Sequence, residues 1–207
     1  MGLEIEFKWE ANAPRAFMRC QRALARAGAN LDPSNTLPIC DVYLDHPTRD
    51  FEKQKLAFRV RQIDDRWEAT FKTRAELKNG RAVRREETCA LPGVATLTQA
   101  LAYLHAKKTW KGINLQNLYP LFTIYNKRRV WPINWRGMQA EVAFDTCQIH
   151  VCGRRVFFKE IELELKKGAA SMLEELAAQL SQHMQLPLAR VSKVKTALGL
   201  LQLWGKK

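Results

Sequence analysis

Apolar and polar residues alternate at every second position along most of the chain. In LAFRVR, Phe58 and Val60 lie on one face and Arg59 and Arg61 on the other. A period of two is typical of a strand with unlike faces. Asn-Gly at 79–80 favours a hairpin turn. The alternation predicts eight strands: 3–9, 36–45, 56–62, 66–74, 82–91, 122–131, 138–151 and 154–168.

Other segments have the period of a helix. Pro14 suits the first turn of a helix over 14–28, and Gly28 suits its end. Apolar residues recur at helical spacing over 169–185, and we predict further helices over 94–108 and 190–204. The sequence shows no linker and no repeat, so the predicted organisation is a single α+β domain over residues 1–207.

The polar faces of these strands are ionic, and on some strands all the charges of that face share one sign. Segment 160–164 carries three glutamates on one face, with Ile161 and Leu163 on the other. A solvated strand face usually mixes threonine, serine and both charges. The remaining ionic faces hold Glu4, Glu6 and Lys8; Glu68, Thr70 and Lys72; Arg84, Glu86 and Thr88; and Glu141 with Asp145.

Two architectures explain this alternation. In the first, antiparallel strands each present one face to the core and one to solvent. In the second, eight antiparallel strands close into a barrel whose lumen, a tunnel, holds the charges, and helices cover the apolar exterior. The same-sign faces favour the second, because a charged lumen suits a hydrated site that binds a ligand of matching charge.

The charged residue types indicate the chemistry of such a ligand. Clustered glutamates supply oxygen-only ligands, which Mg²⁺ and Mn²⁺ prefer. Clustered arginines and lysines bind phosphate. The net charge of +13 also favours an anionic partner, although a protein can simply be basic. Carboxylates, a hard metal and a basic cradle together indicate polyphosphate chemistry.

Several other classes of protein are disfavoured. The five cysteines show no CxxC spacing, so neither a zinc site nor a disulfide framework is expected. No apolar run is long enough for a membrane span and no signal peptide is evident, which predicts a cytoplasmic location without a membrane partner. The four histidines lack ligand spacing. The six tryptophans are scattered, which favours packing over base stacking, so a nucleic-acid partner is not expected.

The ordered motifs resemble the CYTH, or triphosphate tunnel metalloenzyme, superfamily. EIEFK resembles its N-terminal E-x-E-x-K signature, and KEIELELKKG its late E-x-E-x-E-L strand. Between them, in family order, lie pieces similar to its other elements: YLDHP, LAFRVR, EATFK, RREET, LYPLF with Arg128, and EVAFD, with VSKVK at the C-terminal end. The resemblance covers residues 3 to about 200 and is strongest to bacterial inorganic triphosphatases.

The resemblance implies a role for each matched residue. It implies metal ligation by Glu4, Glu6, Glu160, Glu162 and Glu164. It implies phosphate binding by Lys8, Arg59, Arg61, Lys72, Arg84, Arg128 and Lys193. Catalysis would depend on Glu4, Glu6, Lys8, Glu160 and Glu162, with Glu86, Glu141 and Asp145 in support. Two positions depart from the family pattern: Cys147 replaces a glycine, and Thr88 replaces an acidic residue of some members.

The expected function is therefore hydrolysis of inorganic triphosphate, with nucleoside triphosphates as further substrates and one or two Mg²⁺ or Mn²⁺ ions as cofactors. An adenylate cyclase and a thiamine triphosphatase use the same scaffold and remain alternatives. A non-catalytic polyphosphate-binding module is an alternative of another class, but it would not need five glutamates at metal-ligand spacing. The sequence does not indicate an oligomeric state.

Overall fold

A computed structural model describes residues 2–31, 33–73, 76–110 and 112–205. The strands are β1 (Gly2–Glu10), β2 (Asn30–Leu31), β3 (Asn35–Asp45), β4 (Leu56–Ile63), β5 (Arg66–Thr73), β6 (Glu76–Lys78), β7 (Arg81–Ala90), β8 (Thr109–Trp110), β9 (Ile113–Asn114), β10 (Tyr119–Trp135), β11 (Met138–Val151) and β12 (Arg154–Lys167). The helices are α1 (Ala16–Arg26), α2 (Asp50–Lys53), α3 (Leu97–Lys107), α4 (Ala170–Met184) and α5 (Lys193–Trp204).

Eight of the strands close into an antiparallel barrel. Their order is β1-β12-β11-β10-β3-β4-β5-β7, and β7 pairs back onto β1. Closure leaves no free edge around this ring. The predicted α+β fold, a closed eight-stranded barrel flanked by helices, is confirmed.

Two-residue turns set the register of several hairpins. Asn79-Gly80, Arg136-Gly137 and Cys152-Gly153 all have positive φ at both positions, as a type I′ turn requires. Gly80 also fits a tight space, because a Cβ there would lie 2.9 Å from the Lys8 carbonyl oxygen and 2.6 Å from Leu188. This turn confirms the hairpin predicted at 79–80.

Apolar side chains cover the outside of the barrel in two separate cores. In one, α1 and α4 pack on β1, β10, β11 and β12, around residues such as Trp9, Phe144 and Leu176. In the other, α2 and α3 pack on β3, β4 and β5, around Phe58 and Leu104. The ionic faces of the strands are therefore left for the interior of the barrel.

A third apolar cluster closes one end of the lumen. Ile124 on β10 has the same parity as Arg128, and Cys147 and Ile149 on β11 have the same parity as Asp145. These lumen-side residues pack against Ala197 of α5 and its neighbours. The interior is therefore a cup, open at one end and closed by α5 at the other.

The structure contains four short strands that were not predicted, β2, β6, β8 and β9, and it also differs from the sequence prediction at two longer segments. Strand β10 runs four residues beyond Trp131, because it accommodates Pro132 between the stretches that pair with β3 and with β2. The segment 46–55, which separates two predicted strands and for which no helix was predicted, contains α2. The carboxylate of Asp45 accepts hydrogen bonds from the backbone N–H groups of Phe51 and Glu52 at 2.9 and 3.1 Å, which fixes this turn.

Candidate active site

The lumen holds a cavity of about 670 Å³ lined mainly by ionic side chains. Strands from the whole ring contribute, and Ser192 and Lys193 enter from the start of α5. Residues that lie far apart in sequence therefore meet in one place. The lining includes Glu4, Lys8, Arg59, Arg61, Lys72, Arg84, Glu86, Arg128, Glu141, Glu162, Glu164 and Lys193, all predicted as site residues.

Three further predicted residues, Glu6, Asp145 and Glu160, lie directly behind this lining. Each is buried and forms an ion pair with a lining cation. Lys8 Nζ lies 2.9 Å from Glu6 and 3.7 Å from Glu160. The guanidinium of Arg128 donates two hydrogen bonds to Asp145, at 2.8 and 2.7 Å. All fifteen predicted site residues thus belong to a single cluster.

One side of the lumen, formed by β4, β5 and β7, is rich in cations and is called the basic wall here. It carries Arg59, Arg61, Lys72 and Arg84. Arg59 is 4% exposed, and its guanidinium donates to the Thr70 hydroxyl at 3.1 Å. Thr70 in turn lies 3.0 Å from the hydroxyl of Thr88, so polar contacts within the wall hold Arg59 in place.

Cross-strand neighbours partly neutralise the basic wall. Arg61 is paired in register with Asp41 on β3 and donates two hydrogen bonds to it, at 2.6 and 2.8 Å. Arg84 is opposite Glu4 and is bonded to it by two contacts, one of 2.9 Å. In contrast, Arg59 lies 3.6 Å from both Asp41 and Glu68 without a direct hydrogen bond to either.

The opposite side of the lumen, formed by β11 and β12, is rich in carboxylates and is called the acidic wall here. The register places Asp145 directly opposite Glu160, and Glu141 directly opposite Glu164. Like charges opposite each other on neighbouring strands repel. A cation lies between each pair: Lys193 contacts Asp145 and lies 3.7 Å from Glu160, and Lys166 lies 2.8 Å from Glu164 and 3.7 Å from Glu141.

Glu162 is the most heavily paired carboxylate of the acidic wall. Lys8 Nζ donates to it at 2.5 Å, Lys193 Nζ at 2.9 Å, and Arg128 contacts its second oxygen. Burial opposes ionisation of Glu162, but Lys193, Lys8 and Arg128 outweigh burial and hold its pKa well below the usual range. Glu162 is therefore an anion that three cations share.

Two groups in the lumen have a pKa close to neutrality. Burial raises the pKa of Glu160 to about 7, and Lys193 and Lys8 compensate for burial only in part. Burial together with Arg59 and Arg84 lowers the pKa of Lys72 to about 7, although Glu86 lies 2.5 Å from its ammonium. One titrating group thus lies on each wall.

The comparison with known protein families gives one match that covers almost the entire chain. The CYTH domain pattern matches residues 2–198. The chain belongs to the CYTH domain family. The CYTH resemblance that the ordered motifs predicted is thus confirmed.

Individual CYTH relatives add detail. The chain is 29% identical over 192 residues to a protein of Haemophilus influenzae named inorganic triphosphatase; the match covers 93% of this chain and 53% of that protein. The chain thus spans about half the length of this curated relative.

Solved structures share the CYTH barrel at low sequence identity. A Hippeastrum protein with a dominant triphosphatase activity superposes with a TM-score of 0.65 at 16% identity, covering 99% of this chain and 97% of that one. The triphosphatase of the Mimivirus capping enzyme gives a TM-score of 0.57 at 13% identity, covering 89% and 90%. These likenesses establish the fold.

The two departures from the CYTH motifs have local explanations. Cys147 is 1% exposed and packs in the apolar cluster beneath α5, where its side chain fills space that a glycine would leave. Thr88 lies against Thr70, which receives the hydrogen bond from Arg59. In this chain, position 88 therefore supports a cation of the basic wall instead of supplying a carboxylate.

The carboxylate oxygens of this CYTH site are the type of ligand that a divalent cation prefers, but in this structure they do not converge on one point. Within the described ranges, no three histidine, cysteine or acidic side chains already converge as a metal cluster would. The five predicted ligands are instead divided among Arg84, Lys8, Lys193 and Lys166. Among the described residues, Oε1 of Glu6 and of Glu160 is buried without a hydrogen bond, although the first lies 3.3 Å from Arg84 and the second 3.7 Å from Lys8. A divalent cation would therefore replace these ion pairs.

Four ionisable lining residues of this CYTH site were not among the predicted site residues: Asp41, Tyr43, Glu68 and Lys166. Asp41 and Tyr43 lie on β3, and Lys166 continues the run of Glu160, Glu162 and Glu164 on β12. Each could have been found from its position in the inward–outward alternation of its strand. Asp41 and Tyr43 alternate with outward residues of β3, and Lys166 is two positions beyond Glu164.

None of the helices in the described ranges combines the length and apolar character that crossing a bilayer requires.

Proposed function

We propose that this chain is a divalent-metal-dependent triphosphatase that releases orthophosphate from inorganic triphosphate and accepts nucleoside triphosphates as further substrates. One observation carries the proposal: a basic wall and an acidic wall face each other across one cup of about 670 Å³. Phosphoryl transfer needs both a cradle for anionic oxygens and carboxylates for a metal. The Haemophilus influenzae relative named inorganic triphosphatase supports the choice of substrate.

The basic wall would bind the substrate. Arg59 is the best-placed group, because its guanidinium is fixed by Thr70 and forms no direct hydrogen bond with a carboxylate. Arginine can grip two phosphoryl oxygens at once. Lys72, Arg84 and Arg61 line the same wall, so a chain of three phosphates would contact several cations along its length.

The acidic wall would hold the metal ion. Glu160 and Glu162, with Glu6 behind Lys8, are the residues that would ligate it, and Glu4 and Glu164 lie on either side of them. When bound, Mg²⁺ or Mn²⁺ would screen the phosphoryl charge and polarise the bond to be broken. Lys8 and Lys193 neutralise these carboxylates in the present structure and would move aside or turn toward the substrate.

Exclusion of bulk water would come from the closed end of the cup. The apolar cluster beneath α5 blocks passage through the barrel, so substrate would enter and leave by the open end. Positioning and electrostatics would supply the rate acceleration, and no side-chain nucleophile is needed.

A panel of substrates tests the proposal. Purified protein is given tripolyphosphate, pyrophosphate, ATP or thiamine triphosphate, each with Mg²⁺, Mn²⁺, Ca²⁺ or a chelator. We expect metal-dependent release of orthophosphate from tripolyphosphate. Cyclic AMP from ATP would identify a cyclase, and preference for thiamine triphosphate would identify that variant. Tight binding of tripolyphosphate without turnover under any metal would identify a binding module and overturn the proposal.

A further inference from the structure

The positive charge of the chain is not located in the tunnel. The carboxylates of the lumen are Glu4, Glu6, Asp41, Glu68, Glu86, Glu141, Asp145, Glu160, Glu162 and Glu164. The cations are Lys8, Arg59, Arg61, Lys72, Arg84, Arg128, Lys166 and Lys193. Ten carboxylates against eight cations cannot explain a net charge of +13. The excess therefore points to the exterior, where an anionic partner of another kind could bind.

One stretch of the exterior combines cations with exposed aromatic rings. It lies on the outer faces of β3, β10, β11 and β12, and is called the outer patch here. Phe157 is 70% exposed and Tyr125 45% exposed, among the most exposed large apolar side chains of the described residues. They border a groove of about 710 Å³ with Lys127, Thr146 and Gln148. Neither apolar core of the exterior includes these residues.

The strand register arranges the outer patch as a grid. Gln62, Cys40, Tyr125, Gln148 and Phe157 form one row across five strands. The next row contains Pro38, Lys127, Thr146 and Lys159, and the row on the other side contains Thr123, His150 and Arg155. Side chains opposite each other on neighbouring strands lie about 5 Å apart. An aromatic row is thus flanked by cations on both sides.

The outer patch presents two exposed aromatic rings, one of which contacts a neighbouring ring. The ring of His150 meets that of Tyr125 edge-on, with centroids 4.7 Å apart, which holds the tyrosine ring in position. Lys127, Arg155 and Lys159 are all exposed. Of the acidic residues, Asp64 borders the groove. The patch is therefore basic and aromatic.

We propose that the outer patch binds single-stranded nucleic acid. Bases would stack on Phe157 and Tyr125, while Lys127, Lys159 and Arg155 would contact the phosphates on either side. Stacking platforms flanked by cations are the usual means of binding single strands without sequence preference. An acidic peptide or inorganic polyphosphate would use the cations but would gain little from two exposed rings. This departs from the sequence-based expectation, which considered the scattered tryptophans and did not anticipate the tyrosine–phenylalanine row.

Fluorescence anisotropy with a labelled 20-nucleotide oligo(dT) or oligo(U) that lacks a 5′ triphosphate tests the proposal. Saturating tripolyphosphate is added so that the tunnel is blocked. We expect binding that weakens about tenfold for Phe157→Ala and for Tyr125→Ala, as loss of one stacked base predicts. Leu203→Ala is the matched control, since Leu203 on α5 is also 70% exposed but lies outside the patch.

Variants that remove a positive charge provide an independent test, through the salt dependence of oligonucleotide binding. For each phosphate contact removed, the slope of log affinity against log salt concentration falls by about 0.7 for a single strand. Lys127→Gln and Lys159→Gln should each show this change, and Lys53→Gln on α2 should not. Tripolyphosphate hydrolysis should stay unchanged in every variant, which shows that each is folded and separates this proposal from the proposed function.

Two results would overturn the proposal. The first is that the oligonucleotide does not bind, or that wild type and the aromatic variants bind it with equal affinity and bind polyphosphate or poly-glutamate as tightly. The other is a dimer, detected by sedimentation, that Phe157→Ala dissociates while oligonucleotide binding is absent; the patch would then serve self-association.

Discussion

The two walls of the lumen are built from the same alternating strands, yet they balance their charges differently. On the basic wall, Arg61 faces Asp41 and Arg84 faces Glu4 across the strand pair, and Arg59 is hydrogen-bonded to a threonine. Arg84 also lies 3.3 Å from Glu6. On the acidic wall, carboxylates face carboxylates, and the cations that contact them are Lys8 from β1, Lys193 from α5 and Lys166 of β12 itself.

This difference indicates that the two walls have separate roles in binding and catalysis. The carboxylates of the acidic wall repel one another by register alone, so they require cations, whether ammonium groups or a metal. Arg59 on the basic wall retains hydrogen-bonding capacity for anionic oxygens. We therefore expect variants of the acidic wall to lose turnover, and variants of the basic wall to lose chiefly substrate binding.

The largest effect is expected on the acidic wall. Glu162→Gln removes the charge that Lys8, Lys193 and Arg128 share, and with it a proposed metal ligand. We expect kcat for orthophosphate release to fall at least about a hundredfold. Glu175→Gln is the control, since Glu175 on α4 is half exposed and pairs with Arg136 at the surface. Similar losses in both variants would contradict the assignment.

A smaller effect, mainly on KM, is expected on the basic wall. Arg59→Ala removes a charged donor to phosphate and leaves the carboxylates intact, so kcat/KM for tripolyphosphate should fall about 10- to 100-fold. Arg66→Ala, at an exposed position of the neighbouring strand β5, should have no effect. A loss confined to kcat would mean that Arg59 acts only in the transition state.

The pH dependence of kcat/KM distinguishes the two walls, with an effect smaller than that of either substitution. Lys72, with a pKa near 7, is charged below this pH and loses its charge as pH rises through it, so substrate binding should weaken on the alkaline side. Glu160 is ionised above about pH 7 and protonated below, so metal binding should weaken on the acid side. The profile of kcat/KM should be bell-shaped.

Lys72→Arg sharpens this prediction, because arginine stays charged across the range. The alkaline limb of the kcat/KM profile should flatten. Between pH 7 and pH 8 the variant should lose up to about tenfold less kcat/KM than the wild type. The acid limb of the kcat/KM profile should be the same as in the wild type. An unchanged alkaline limb would assign it to the ionisation of substrate or metal.

Much of the site could be predicted from the sequence because a barrel lumen obeys period two. Once Glu4, Arg59 and Glu162 were assigned to inward faces, the remaining charges followed by parity. Parity does not reveal register, which depends on turns such as Arg136-Gly137 and decides that Asp145 lies opposite Glu160. Nor does parity reveal a strand's end: Asp45 shares the parity of Asp41 but supports α2.

The outer patch shows the same limitation on the other face. Tyr125 and Phe157 are 32 residues apart in the chain, and only the register of β10, β11 and β12 places them in one row. Exposure of an aromatic residue also depends on where the helices pack. Parity separates Phe157 from Phe158, which packs at the closed end of the lumen, but it does not show that Phe157 is left uncovered by a helix.

The division between the walls is tested most directly by calorimetric titration of tripolyphosphate into Glu162→Gln and into Arg59→Ala, each with and without Mn²⁺. We predict that Glu162→Gln binds tripolyphosphate at least as tightly as wild type without metal, because three cations lose a competing carboxylate, but no longer gains from Mn²⁺. Arg59→Ala should bind weakly and keep its response to Mn²⁺. Equal loss of both properties in the two variants would contradict the account.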